Sequence, residues 1–265
     1  MRAQAVAVLI LAIADALCLE GCQMAKAHGA SESPHFEIAI DVSKSLIGPC
    51  ESGGGLALEI LKNSDADRRS TLAVIVSGDA RTLDEPVEIF RKEGLRHYRA
   101  MEAAASSEKK IRAAAEDVVE KCREMPRTDV SPIALMIRRG IEHLRGLGCK
   151  VGTSCGLSVV TDGYDNVEPE VRRILADPRR DVAIKPIIDN GGIAVAIYGL
   201  AETSGDGDRR QNGHMTRRPH SVQSADRVVA VLRRLFTHPE LVTLQPHSPK
   251  LAARPEGAAE ARAER

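Results

Sequence analysis

The chain has 265 residues, its acids and bases balance at 37 each, and 28% of its residues are charged. That length buries one substantial core and leaves little room beyond two domains. The charge balance excludes a global field for nucleic acid or a membrane surface. Aromatics at 2% with no Trp leave the core to Ile, Leu, Val and Ala and give no base-stacking platform.

Residues 1–22 read as a targeting segment. Arg2 supplies a positive start, and "AVAVLILAIADALCL" has the length of a signal core, interrupted by Asp15. "LEGC" ending at Cys22 has the look of a bacterial lipoprotein cleavage box, which gives a possible lipid anchor at Cys22, while "AKA" at 25–27 suits ordinary signal cleavage. The expectation is export, to the periplasm or outside the cell, against the plainer alternative of a buried N-terminal helix. Residues 23–34 follow as a polar linker.

Beyond the linker, short apolar runs alternate with amphipathic stretches. "FEIAI" predicts a strand, "GGLALEILKNS" a short helix with Leu56, Ile60 and Leu61 on one side, and "TLAVIVSG" a second strand rich in β-branched residues. The preceding "GGG" at 53–55 reads as a flexible turn, since it lacks the context of a phosphate loop. "PVEIF" suits an edge strand. Residues 95–124 predict a long helix. "SPIALMIRRGIEHLRGLG" predicts another, capped by Ser131, with Pro132 in its first turn and Ile133, Ile137, Ile141 and Leu144 as an apolar stripe. On that helix His143 reads as a surface residue.

"GLSVVTDG" is then a strand, "EPEVRRILAD" a helix, and "GGIAVAIYGL" a strand apolar enough for burial on both faces. Residues 201–224 read as an insertion loop, "ADRVVAVLRRLF" as a helix, and 246–265 as a disordered tail. The domain is drawn over 35–240. Strands alternating with helices predict a doubly wound, mostly parallel α/β sheet with helices on both faces, a Rossmann-like arrangement. Ligands then bind at the carboxyl ends of the strands, where the strand order reverses.

With Cys18 removed and Cys22 lipidated, Cys50, Cys122, Cys149 and Cys155 remain, an even set for an oxidising compartment. Four cysteines allow three connectivities; the closeness of Cys149 and Cys155 makes that pair attractive and leaves Cys50 with Cys122. The alternative is four small buried apolar residues.

The loop after the first strand carries Asp41, Ser43 and Ser45 at alternate positions, a spacing that turns them to one side. "RTDVSP" before a helix offers Thr128 and Asp129, and "VVTDGYDN" offers Asp162 directly after a strand, with Asp165 nearby. Carboxylates and hydroxyls without His or Cys suit a hard cation, Mg²⁺ or Mn²⁺, which keeps few protein ligands and several waters. Singly, each piece also reads as a turn or a helix cap. Their order, strand then Asp-x-Ser-x-Ser, pre-helix Thr, strand then Asp, resembles the von Willebrand factor type A (vWA) domain and its metal-ion-dependent adhesion site (MIDAS). The resemblance implies a metal shell of Asp41, Ser43, Ser45, Thr128 and Asp162, and a protein partner that presents an acidic residue to the cation. It implies a binding module and no enzyme.

Two alternatives stand beside it. A Mg²⁺-dependent phosphohydrolase of the haloacid dehalogenase type would use Asp41 as nucleophile, Ser77 for phosphate, and Asp162 with Asp165 for the metal. Ser43 then occupies the place where that family's acid–base Asp is expected. The third reading is an interaction domain that keeps the vWA fold without the metal.

Overall fold

A computed structural model of the full chain describes residues 33–63, 70–77, 87–93, 104–127, 129–163, 167–169, 171, 185–200, 210–211, 214–215 and 222–251. Its elements are β1 (His35–Ile40), α1 (Pro49–Asn63), β2 (Thr71–Val76), β3 (Val87–Glu93), α2 (Ala104–Glu124), α3 (Ile133–Gly146), β4 (Gly156–Val160), β5 (Ala194–Tyr198), β6 (Arg210–Gln211), β7 (His214–Met215), α4 (Val222–Arg234) and β8 (Val242–Gln245). Six strands form one sheet in the order β3-β2-β1-β4-β5-β8, and β6 pairs with β7 as a separate hairpin. Every pairing in the large sheet is parallel except that of the edge strand β3, which runs antiparallel to β2. The fold is therefore the mostly parallel α/β arrangement that the alternation of elements predicts.

Side-chain alternation divides the core between the two faces. Ile38 and Ile40 of β1 point to one side, into a cluster with Leu56, Leu61, Ile111, Val118 and Val119 of α1 and α2. Ala39 points to the other, into a cluster with Ile133, Ile137, Ile141 and Leu144 of α3 and Val228, Val231 and Leu232 of α4. The predicted stripe on α3 is thus wholly buried. Among the described residues, no helix is long and apolar enough to cross a membrane.

Several local expectations are overturned. The glycines at 53–55 form no turn: they lie within α1, which begins at Pro49 rather than at Gly54. Their use is close approach. A Cβ at Gly53 would stand 2.2 Å from Ile40 Cδ1, one at Gly54 2.4 Å from Val119 Cγ2, and one at Gly55 2.0 Å from the Pro249 carbonyl oxygen. Three consecutive helical positions thereby meet the sheet, α2 and the C-terminal segment. Gly54→Val is expected to destabilise the fold by about 2 kcal/mol through overpacking. Gly146→Ala, where nothing lies within 4 Å, should leave it unchanged or slightly firmer. Thermal melts of the two variants check the contrast.

The chain is also ordered beyond residue 240. A 3-10 turn (Pro239–Leu241) leads into β8, which pairs with β5 and completes the sheet. Residues 246–251, expected as part of a disordered tail, lie along α1: Leu251 N donates to the Glu51 carbonyl at 2.9 Å, and Ser248 Oγ to Ser52 Oγ at 2.6 Å. Small α1 side chains open the path for this strand of backbone. Strand β5 alternates in burial, with Ala194 exposed and Val195 and Ile197 buried, so its expected burial on both faces does not hold. His143 is no plain surface residue. Its Nδ1 lies 2.5 Å from Oε2 of Glu37, a carboxylate only 1% exposed on β1, and its Nε2 accepts from Arg91 at 3.0 Å. The N-terminal 32 residues, 95–103 of the predicted long helix, most of the 168–177 helix and most of the 201–224 loop lie outside the described residues.

Two disulfides close among the cysteines, Cys50–Cys122 with a Cα separation of 5.5 Å and Cys149–Cys155 with 5.9 Å. These are the pairs that sequence proximity favours.

Candidate functional site

Strand β1 continues to β2 on one side, while β4 lies on its other side, so the strand order reverses between β1 and β4. Asp41 and Asp162 follow the carboxyl ends of those two neighbouring strands. Their registration is fixed by backbone bonds: Asp41 N donates to the Val160 carbonyl at 2.9 Å, Thr161 N to that of Tyr198 at 2.9 Å, and Ser77 N to that of Ile40 at 2.9 Å. Both aspartates are 0% exposed, and Ser43 is 2% exposed.

Buried carboxylates need donors, and Asp41 has three. Ser43 N donates to its Oδ1 at 2.9 Å, while Ser131 Oγ and Thr161 Oγ1 (3.1 Å) donate to its Oδ2. The first of these is an Asx-turn, so the "DVS" stretch is a turn whose bond orients the carboxylate. Ser43 Oγ and Ser45 Oγ sit 3.0 Å apart. Burial first, and the Asp162 carboxylate second, push Asp41 up to about 6 from its ordinary 3.8; the three donors pull the other way without offsetting this.

Thus Asp41, Ser43 and Ser45 are brought together, and Asp162 lies close enough to repel Asp41. Thr128 and Asp165 lie outside the described residues. Asp129 belongs to the rim, where it pairs with Lys44 Nζ at 3.0 Å, an exposed contact that contributes little. The capping position of α3 is Pro132, one residue past the expected Ser131, and the Ser131 hydroxyl donates its proton to Asp41. In "TDG" Gly163 N donates to Thr161 Oγ1 at 3.0 Å. Gly163 has φ +81°, and a Cβ there would meet Val228 Cγ1 at 2.4 Å, so glycine is needed for backbone shape and for space.

Sequence reasoning missed Ser131, Thr161 and Arg127. Ser131 stood in view but was spent on the cap; Thr161 precedes the noticed aspartate. Ser77, assigned to phosphate in the phosphohydrolase alternative, accepts from Val42 N at 3.0 Å and so holds the first loop.

No group of three His, Cys, Asp or Glu residues among the described ones is placed to hold a metal. Two carboxylates with serine hydroxyls are instead the donor set of a hard, oxygen-seeking cation. A divalent charge between the two would relieve the repulsion that adds to burial in raising Asp41. The residues fit Mg²⁺ or Mn²⁺.

No protein-family model matches the chain, and no curated protein matches it. Among solved structures it is similar to the crystal structure of manganese-loaded Plasmodium vivax TRAP protein, with 15% identity and a TM-score of 0.35, over 64% of this chain and 58% of that one. It therefore spans less than two thirds of that structure's length.

Proposed function

We propose that the chain is an exported vWA-type binding module whose MIDAS-like cation, Mg²⁺ or Mn²⁺, takes up a carboxylate from a protein partner. The observation that carries this reading is the pair of fully buried aspartates at the ends of adjacent parallel strands, with Ser43 and Ser45 beside the first. Asp41, Ser43, Ser45, Thr128 and Asp162 would hold the cation, directly or through water. The bound cation supplies positive charge and an open coordination position for the partner's acid. Hydroxyl ligands orient it without cancelling its charge, which favours an anionic partner. Both oxygens of Asp41 are held by hydrogen bonds, an arrangement that suits water-mediated support and not a nucleophile aimed at phosphorus. Export, with a possible lipid anchor at Cys22, belongs to the same reading and is supported by the two disulfides.

The test is calorimetric titration of the full chain with Mn²⁺ at several pH values, followed by an array of Glu- and Asp-bearing peptides in Mn²⁺ and in EDTA. Binding is expected at pH 7.5. It should weaken as pH falls through about 6, where Asp41 takes up a proton, because ligation needs the ionised carboxylate. Peptide capture should require the cation. Absence of Mn²⁺ binding at pH 7.5 would leave the metal-free interaction domain, and aryl-phosphate turnover lost in Asp41→Asn would establish the phosphohydrolase.

A further inference from the structure

Arg127 stands at the junction of the two loops that the site depends on. It follows α2 and directly precedes Thr128 in the chain. Its guanidinium crosses to the first loop, where Nε donates to the Val42 carbonyl at 3.1 Å and Nη2 to those of Ser43 at 2.5 Å and Leu46 at 2.7 Å. Those three carbonyls span the segment that carries Ser43 and Ser45. A planar fork with donors fixed in direction constrains such a loop in a way a single ammonium cannot.

The neighbouring helices are linked twice more. Cys50 is bonded to Cys122, and Arg123 Nη2 lies 2.6 Å from Glu51 Oε1. The disulfide and this outer ion pair join helix to helix. Lys44 of the loop also pairs with Asp129 at 3.0 Å, an exposed side-chain contact, whereas Arg127 holds the loop's backbone carbonyls. Three polar bonds from one exposed side chain to backbone carbonyls exceed what tying down a helix end requires, and none of them reaches a carbonyl outside 42–46.

We propose that Arg127 is a positioning residue for the cation site. It sets the Ser43 and Ser45 hydroxyls at their spacing before a cation arrives, and it couples that loop to the segment leading into Thr128 and Ser131. Preorganisation of this kind raises affinity by removing the ordering that binding would otherwise require. The inference rests on the cation reading above and adds to it a residue that touches no ligand.

The experiment uses the full chain as wild type, Arg127→Lys and Arg127→Gln. It measures Mn²⁺ affinity, the water-proton relaxivity of the bound Mn²⁺, and the thermal melt in EDTA. Both variants should keep a cooperative melt and bind Mn²⁺ roughly tenfold or more weakly, the range seen when an outer support of a metal site is lost. Relaxivity per bound ion should rise as water replaces a serine hydroxyl, a change that a purely structural role would not produce. Variants that bind within twofold of a wild type that itself binds would overturn the inference while leaving the cation site intact. A wild type that binds no Mn²⁺ overturns both. Loss of the cooperative melt in both variants overturns the inference alone, since Arg127 would then belong to the fold and not to the site.

Discussion

Asp41→Asn should melt at a higher temperature than the wild type in EDTA, and at a lower one in saturating Mn²⁺. The first half follows from burial. Asp41 is an acid whose folded value, about 6, lies above its ordinary 3.8. The folded protein therefore holds its proton more firmly than the unfolded chain does. Stability is greatest below about 3.8, falls as pH rises towards about 6, and stays low above it. At about 1.4 kcal/mol per unit, ionised Asp41 costs the cation-free protein on the order of 3 kcal/mol at neutral pH. Asn removes the charge at nearly constant shape. Part of the gain is offset, because Ser131 and Thr161 both donate to Asp41 Oδ2 and must reorient around an amide. A net rise of about 1 to 2 kcal/mol, or several degrees, remains.

The second half follows from linkage. A cation at about 100 times its dissociation constant stabilises the folded state by about 2.7 kcal/mol. The amide brings no charge to the cation, so the variant forfeits that gain. The crossing of the two orders is the diagnostic result. A variant less stable in both conditions would mean that Asp41 serves only as a hydrogen-bond hub for Ser43, Ser131 and Thr161, and the cation reading would fail with it.

What the sequence made legible follows from how local each signal is. Period-two and helical apolar patterns placed β1, β2, β4 and α3, because burial on one face or both imprints itself on consecutive residues. The carboxylates at strand ends were legible for the same reason: Asp41 and Asp162 directly follow or nearly follow apolar runs whose direction the fold class fixes. Contacts between distant segments leave no such imprint. Gly53, Gly54 and Gly55 read as a turn because glycine lowers helix propensity, yet three tertiary neighbours at those positions outweigh that cost. Ser131 satisfies the local rule for a cap, but nothing in that rule shows that its hydroxyl proton goes to a buried carboxylate 90 residues away. Arg127 looks like any charged residue after a helix until its carbonyl partners 81 to 85 positions away are in place. The end of the sheet was missed because "VTLQ" is short and follows a proline turn, and its pairing with β5 supplies the stabilisation that its own pattern lacks.

Cys50→Ala combined with Cys122→Ala should lower stability far more than Cys149→Ala combined with Cys155→Ala. Each bridge acts chiefly by restricting the unfolded chain, and its effect grows with the enclosed loop. The separations are 72 and 6 residues, which correspond to about 4 and about 2 kcal/mol. For a domain of this size the larger figure is a fall of about 8 to 16 °C in Tm. All four cysteines are buried, Cys50 5%, Cys122 1%, Cys149 4% and Cys155 6% exposed, so alanine leaves sulfur volume unfilled at both bridges and the difference rests on the enclosed loop. Equal melting of the two double variants would show that residual structure in the unfolded chain already holds α1 near α2. The long bridge also bears on the site, since Cys50 lies one turn or so beyond the loop that Arg127 clamps. With the bridge removed, the guanidinium has to hold that loop against a freer α1, so the double variant should bind Mn²⁺ more weakly than its short-loop counterpart even at temperatures where both are fully folded.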